Sequence, residues 1–198
     1  LPEIGTDEEG EKARMSQILV THDLGGITGL TMIEPAVYGD ARGYFMETYN
    51  QREMADNGLR MRFVQDNQSL SVRGVLRGLH FQKQFPQGKL IRVVAGEIFD
   101  VAVDLRKGSG TFARWYGGRL SAENRKQVYL PEGFAHGFLV LSDTAIICYK
   151  ATDFYHPNDE GGLIWNDPDL GIIWPLDSMN TLTLSQKDQA NDTLRSVL

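Results

Sequence analysis

The sequence is poor in cysteine, in basic residues and in long apolar runs. Its 198 residues contain one cysteine, Cys148, so an intrachain disulfide and a multi-cysteine metal site are both excluded. With 20 lysines and arginines against 26 aspartates and glutamates, the chain lacks the basic excess that neutralises nucleic-acid phosphates. No apolar run approaches the roughly 20 residues that span a bilayer, and the first residues are acidic, unlike an export signal. We therefore expect a cytoplasmic protein whose partner is neither nucleic acid nor membrane.

Aromatic residues are plentiful by contrast. The 9 Phe, 7 Tyr and 3 Trp supply the apolar surface that a packed core requires. No linker, low-complexity tract or internal repeat interrupts the chain after Ile18. We interpret residues 1–15 as a leader outside the fold, either an expression remnant or a disordered extension. We predict one domain over residues 16–198.

Short runs of β-favouring residues recur along the chain, each bounded by Gly, Pro, Asn or Asp. Residues 90–105 hold two such runs around Ala95 and Gly96, which we interpret as a hairpin. Further runs occupy residues 114–120, 127–130, 134–141 and 145–150. Helical patterns are scarce and cover residues 51–57, ended by Gly58, and residues 185–189. The pattern predicts an all-β barrel or sandwich with a few short helices.

The second of the two runs in residues 90–105 combines an apolar face with a partly polar face. Asp100 and Asp104 share a face because side chains alternate along a strand. A barrel built from this strand would have a polar, ligand-sized interior. The alternative is that this face meets solvent, as in many half-exposed antiparallel strands.

Arg77 and His80 lie among apolar residues, and Lys89 follows shortly after. A single histidine in such a setting is often only a hydrogen-bonded core residue. The nearby arginine and lysine favour a functional site instead, because clustered ionisable groups in an apolar region have shifted pKa values.

Two later segments carry further candidates. Two glycines flank His136, which leaves room for close approach of a ligand or backbone; a tight turn with a structural histidine is the alternative. Tyr149 ends a predicted strand and Tyr155 follows in a loop, where tyrosines usually serve packing.

The sequence argues against a metal centre and against redox cofactors. A cupin-type metal site needs two histidines two positions apart, and His22, His80, His136 and His156 include no such pair. Phosphate loops and dinucleotide fingerprints are missing as well. Scattered side chains such as Arg42 could still hold a phosphate, since guanidinium pairing needs no loop motif. We expect neither a metal nor a cofactor.

Seven segments together resemble the dTDP-4-dehydrorhamnose 3,5-epimerase family. They are residues 39–50 (GDARGYFMETYN), 63–69 (FVQDNQS), 74–82 (GVLRGLHFQ), 87–106 (QGKLIRVVAGEIFDVAVDLR), 120–127 (LSAENRKQ), 131–138 (PEGFAHGF) and 165–175 (WNDPDLGIIWP). The likeness runs in order from about residue 18 to residue 188, so it covers nearly the whole predicted domain.

The resemblance implies a cupin-type β jelly roll that forms a homodimer, with an N-terminal strand of one subunit reaching the site of the other. It implies a thymidine diphosphate 4-keto-6-deoxy sugar as substrate. The hydrogens on C3 and C5 are both α to the C4 ketone, so each can be removed to form an enolate without a cofactor. Returning a proton to the opposite face inverts the centre, which requires a base, an oxyanion stabiliser and an acid.

The resemblance also implies which residues serve these roles. His80 would be the base, with Asp188 holding its tautomer and stabilising the imidazolium. Lys89 would stabilise the negative charge that develops on the ketone oxygen. Tyr149 would deliver a proton from the far face of the sugar.

Further residues match the family's substrate contacts. Tyr155 would stack on the thymine ring, and His136 would contact the substrate, oriented by Asp100 as we hypothesise. The remaining matches are Arg42 and Glu47, donated by the partner subunit, Gln65, Asn67 and Arg77 around the sugar and diphosphate, and Glu160 and Lys187 as additional contacts.

Three other functions are compatible with the sequence. The enzyme could invert one centre only, or act as a ketoisomerase on a related nucleotide-linked 4-keto sugar. The chain could be a nucleotide-sugar binding protein without turnover, although a positioned His80 and Asp188 would then serve no purpose. A metal-dependent cupin oxygenase is the third alternative, and it lacks the histidine pair.

Overall fold

The computed structural model describes residues 18–177, 179 and 181–197, so the predicted leader at residues 1–15 lies outside the described residues. The elements, in chain order, are β1 (Ile18–Thr21), β2 (Thr31–Pro35), β3 (Val37–Asp40), β4 (Gly43–Met46), α1 (Gln51–Asp56), β5 (Gln65–Val72), β6 (Leu76–Gln82), β7 (Lys89–Ala95), β8 (Glu97–Asp104), β9 (Trp115–Ser121), β10 (Gln127–Leu130), β11 (Phe134–Val140), β12 (Thr144–Ala151), β13 (Glu160–Gly162), α2 (Gln186–Gln189) and α3 (Leu194–Val197).

Two sheets form the body of the fold. The first has the strand order β1-β2-β10-β7-β12-β5 and the second the order β13-β6-β11-β8-β9. Strands β3 and β4 make a separate two-stranded ribbon. Apolar side chains of both sheets meet between them, among them Ile91, Val93 and Ile147 of the first and Ile98, Ala102 and Phe138 of the second. This arrangement confirms the predicted all-β, jelly-roll architecture with a few short helices.

A second apolar layer covers the outer face of the second sheet. Val101, Val103 and Leu139 point outward from β8 and β11 and pack against the carboxyl-terminal segment, which contributes Leu170, Trp174 and Leu194. Strand β8 is therefore buried on both faces, which explains why five of the seven residues from 98 to 104 are apolar. The same packing carries the chain back to β6, where α2 docks.

The predicted hairpin at residues 90–105 is wrong. Strand β7 belongs to the first sheet, where it pairs with β10 and β12, and β8 belongs to the second sheet. Gly96 lies between them with a φ of 76°, a backbone conformation that suits glycine and turns the chain from one sheet to the other. Local sequence cannot separate this crossing from a hairpin, because both need a turn between two apolar runs.

The polar face of β8 does not meet solvent. Asp100 is 4% exposed and Asp104 is fully buried, which excludes the solvent-facing alternative for this strand. Asp104 accepts hydrogen bonds from Arg106, Ser109 and Thr111 and closes the loop after β8. Because Asp104 serves this loop, Asp100 is the carboxylate of the polar face that remains available in the interior.

Both predicted helices are confirmed. The side chain of Asn50 accepts from the backbone N–H groups of Arg52 and Glu53 and begins α1, while Ser185 caps α2 by accepting from the N–H of Asp188 at 3.0 Å. Such caps satisfy the free donors of a helix start. Within the described ranges, no helix is long and apolar enough to cross a membrane.

Candidate active site

A histidine and an aspartate form the centre of the site. His80 of β6 bonds through Nε2 to Oδ1 of Asp188 at 2.6 Å. The Asp188 side chain is 5% exposed, whereas that of His80 is 31% exposed. Burial lowers the pKa of His80 and outweighs the opposing hydrogen bond and charge of Asp188. The imidazole is therefore neutral at pH 7, and Nδ1 is its unprotonated nitrogen when Nε2 donates to the carboxylate.

A second histidine–carboxylate pair lies beside the first. His136 of β11 is directly opposite His80 in the antiparallel register, and its Nε2 contacts Oδ1 of Asp100 at 2.7 Å. Both members of this pair are buried. The hypothesis that Asp100 orients His136 agrees with this contact.

The opposite wall of the site comes from the first sheet. Lys89 at the start of β7 lies with its Nζ 5.9 Å from the centre of the Tyr149 ring of β12. Burial lowers the pKa of Lys89 to about 8, against the attraction of Glu160 and Asp100. Burial raises the pKa of Tyr149, and Glu160 adds to the effect while Arg77 opposes it. At neutral pH the lysine is mainly charged and the phenol keeps its proton.

The mouth of the site carries a chain of polar contacts. The phenol of Tyr155 donates to Oε2 of Glu160 at 2.7 Å, and the ammonium of Lys187 pairs with the same oxygen. Burial would raise the pKa of Glu160, but the hydrogen bonds from Lys187 and Tyr155 outweigh it and lower the pKa. Glu160 also acts electrostatically on His80, so the mouth and the centre share one electrostatic environment.

Strand β5 contributes two side-chain amides to the site. Gln65 and Asn67 share a face and are joined by a hydrogen bond of 3.0 Å. Asn67 is paired with Tyr149 in the register of β5 and β12. Its Nδ2 is buried without a hydrogen-bond partner in the structure. Arg77 donates to the hydroxyl of Ser71 at 3.0 Å.

Two of the predicted residues do not reach this cluster within one chain. Arg42 lies at the turn between β3 and β4 with a side chain that is 90% exposed, and it pairs with Asp40. Glu47 follows the ribbon and accepts from Asn50 at 2.9 Å. The other predicted residues lie on β5, β6, β7, β11, β12 and β13, in the loop before β13, and on α2.

Sequence reasoning assigned no role to Ser71 or Gln82. Ser71 is a buried hydroxyl that receives Arg77, and nothing in its local sequence indicates this contact. Gln82 shares a face with His80, two positions earlier, and this polar alternation was a usable signal. In the part of the chain that the structure describes, no group of three or more His, Cys, Asp and Glu side chains is gathered that could hold a metal ion.

The chain is similar in sequence to proteins of one enzyme family. Residues 25–196 match the profile of the family described as dTDP-4-dehydrorhamnose 3,5-epimerase. A curated protein of that name from Methanothermobacter thermautotrophicus is 60% identical over 85% of this chain and 91% of its own length. A Streptomyces niveus protein named dTDP-4-dehydrorhamnose 3-epimerase is 44% identical over 83% of this chain and 79% of its own.

A solved structure is similar to this chain in both fold and sequence. The dTDP-6-deoxy-D-glucose-3,5-epimerase from Legionella pneumophila, in complex with dTDP-4-keto-L-rhamnose, matches with a TM-score of 0.82 and 51% identity over 85% of this chain and 89% of that one. The family match covers every strand of both sheets except β1, and it includes the segment that carries α2. The chain belongs to the dTDP-4-dehydrorhamnose 3,5-epimerase family.

Proposed function

We propose that the chain inverts C3 and C5 of dTDP-4-keto-6-deoxy-D-glucose through enolate intermediates and gives dTDP-4-keto-L-rhamnose. One observation carries the proposal: a histidine paired with a buried carboxylate lies on one sheet, and a tyrosine phenol lies on the other. Base and acid thus come from opposite walls, as an inversion of configuration requires.

His80 removes the proton at each centre. A histidine that is neutral at pH 7 is ready to accept a proton, and positioned general bases contribute roughly 10²–10⁴-fold to a rate. As the imidazole gains its proton, the negative charge of Asp188 stabilises the imidazolium. The hydrogen bond of 2.6 Å also holds the ring in one orientation.

Lys89 stabilises the enolate. Negative charge develops on the C4 oxygen when either proton leaves, and a cation in a desolvated cavity interacts with that charge more strongly than in water. With a pKa of about 8, the ammonium is charged at pH 7. No further group is needed to hold the electrons, because the substrate's own ketone accepts them.

Tyr149 supplies the proton on the other face. A phenol whose pKa is raised by burial holds its proton firmly until a strongly basic enolate carbon approaches it. In this proposal, the nucleotide and diphosphate are bound by side chains at the mouth, Tyr155, Glu160 and Lys187, and by the nearby Arg77, Gln65 and Asn67. His136 contacts the sugar.

Deuterium exchange tests the proposal. The substrate is incubated in deuterium oxide, and the hydrogens at C3 and C5 are followed by proton NMR. We expect exchange and inversion at both carbons with wild type and at neither with His80→Ala, while His22→Asn, an exposed histidine near Thr31, behaves as wild type. Nucleotide binding without exchange in wild type would instead indicate a binding protein.

A single-centre epimerase is the second candidate, favoured by the similarity to the Streptomyces niveus 3-epimerase. It predicts inversion and exchange at one carbon only. The same NMR experiment therefore decides between the two.

We also propose that the active form is a homodimer with strand exchange. The β3–β4 ribbon exposes Tyr38, Tyr44 and Phe45, and Tyr38 and Phe45 are paired across its two strands. Exposed aromatic side chains of this kind are typical of an interface. In the dimer Arg42 and Glu47 of this region would complete the partner's site, which would explain why they lie away from their own.

Subunit mixing tests this arrangement. Arg42→Ala and Tyr155→Ala should each lower activity, and co-refolded mixtures should regain it, because one site of each mixed dimer has its own Tyr155 and the partner's Arg42. Mixed dimers that stay as inactive as their parents would contradict strand exchange. Light scattering reports the dimer independently.

We place the enzyme in the cytoplasm. The single cysteine, Cys148, has no partner for an intrachain disulfide, which suits a reducing compartment. Fractionation of cells that produce the full-length protein tests this, with recovery from an exported fraction as the contrary result.

A further inference from the structure

The side-chain amide of Gln82 holds the backbone on both sides of Tyr155. Its Nε2 donates to the carbonyl of Phe154 at 3.2 Å, and its Oε1 accepts from the N–H of His156 at 2.8 Å. These groups belong to the residues immediately before and after Tyr155. Gln82 itself is 6% exposed, so solvent competes little for these bonds.

Two other side chains complete the support of Tyr155. The backbone N–H of Tyr155 donates to Oε1 of Gln65 at 3.0 Å, and its phenol donates to Glu160. Glu160 is paired with Gln82 in the register of β13 and β6. The ring of Tyr155, which is 50% exposed, is thus presented at the mouth by a backbone that is held from several directions.

The same amide holds a second loop. Nε2 of Gln82 also donates to the carbonyl of Phe85 at 2.5 Å, and the Phe85 ring stacks on that of His156 with their centres 4.4 Å apart. Asp159 accepts from the backbone N–H of Phe85 at 2.8 Å. The loop after β6 therefore braces the loop that carries Tyr155.

We infer that Gln82 is a positioning residue for nucleotide recognition: it sets the place of Tyr155 relative to His80. The two residues Gln82 and His80 share a face of β6, two positions apart, so the strand that carries the proposed base also locates the proposed thymine-stacking ring. This inference rests on the proposed function of Tyr155. It assigns Gln82 no contact with the reacting atoms.

Kinetics of Gln82→Met test the inference. Methionine has a similar length but neither donates nor accepts in place of the amide, so the loop around Tyr155 loses its support. We expect the KM for the nucleotide sugar and the Kd for dTDP to rise about tenfold, with kcat within about twofold of wild type. Gln84→Met, at an exposed glutamine in the loop after β6, is the matched control and should leave the KM and the Kd unchanged.

A double-mutant cycle with Tyr155→Ala separates positioning from general destabilisation. In the Tyr155→Ala background, Gln82→Met should weaken dTDP binding by less than about twofold, because the ring to be positioned is gone. Fully additive effects, or a fall in kcat with unchanged KM, would overturn the inference. If Gln82→Met does not fold, Gln82→Glu serves in the same cycle, since a carboxylate still accepts from His156 but cannot donate to Phe154.

The outcomes also separate this inference from the proposed function. If Tyr155→Ala leaves the Kd for dTDP unchanged, the proposed role of Tyr155 is wrong, and the inference falls with it. If Tyr155→Ala weakens dTDP binding but the folded Gln82 variant does not, the role of Tyr155 stands and the inference alone is overturned.

Discussion

Arg77 and His80 face the same side of β6 although they lie three residues apart. In the register with β11, His80 is opposite His136 and Arg77 is opposite Phe138. Two residues of β6, Gly78 and Leu79, therefore oppose one residue of β11. This β-bulge reverses the alternation of side chains and brings a proposed diphosphate ligand and the proposed base into one site.

Gly137 is the single residue of β11 opposite the bulge. A Cβ there would lie 2.7 Å from the carbonyl oxygen of Arg77, closer than packing allows, so Gly137→Ala should lower kcat/KM at least tenfold and cost about 1–3 kcal/mol of stability. Gly110→Ala, where an added Cβ meets no atom within 4 Å, is the control. Urea unfolding and steady-state kinetics are the measurements, and a fully active, stable Gly137→Ala would contradict the role of the bulge.

Asp188→Asn should lower kcat by roughly 10²–10⁴-fold. The amide keeps the shape of the side chain but no longer stabilises the imidazolium of His80 or fixes its tautomer. Substrate binding depends on other side chains, so KM should stay within a few-fold of wild type. A rise in KM with unchanged kcat would instead assign Asp188 to binding.

Asp100→Asn should affect the reaction differently. If Asp100 orients His136 through the contact of 2.7 Å, loss of its charge should disturb the sugar contact and raise KM by about threefold to tenfold. Unchanged kinetics in the folded variant would remove the hypothesis. Circular dichroism checks the fold, because Asp100 is buried.

Tyr149→Phe should separate proton removal from inversion. The variant keeps His80 and Lys89, so an enolate can still form, but the proposed proton donor of the far face is missing. We expect deuterium from solvent to enter the substrate with configuration retained, while inversion slows by about 10²-fold or more. Unimpaired inversion at both carbons would show that another group is the acid.

The pH dependence of kcat/KM should have an acidic and a basic limb. Activity rises with pH as His80 loses its proton, and this limb lies below the ordinary histidine pKa of 6.5 because burial lowers the pKa of His80. Activity then falls through about pH 8 as Lys89 loses its charge.

A substitution distinguishes Lys89 from the other candidate for the basic limb. Lys89→Arg should be less active but should lose the limb near pH 8, since guanidinium stays protonated. A wild-type limb above pH 10 would assign it to Tyr149, whose pKa burial raises from 10.

The positions of most elements could be predicted from local residues. Strands β9 to β12 and helices α1 and α2 follow their sequence patterns within about two residues, because alternation and capping are short-range properties. The prediction of a hairpin at Gly96 is wrong for the same reason. A turn between apolar runs does not reveal whether the next strand pairs with its neighbour or joins the other sheet. The pairing of β7 with β10 and β12 is set by contacts between distant parts of the chain.

The sequence by itself determined the family, the residue types of the site and the position of Asp100 on one side of an otherwise apolar strand. It left open whether that side meets solvent or the interior, and the fold decided this by burying Asp100 between the sheets. Only the tertiary structure decided which groups meet. Asp188 is 108 residues from His80, and the apolar packing of the carboxyl-terminal segment against the second sheet brings α2 to β6. The support of Tyr155 by Gln82 is likewise a long-range contact, because a buried amide takes its partners from whichever backbone the fold brings within reach.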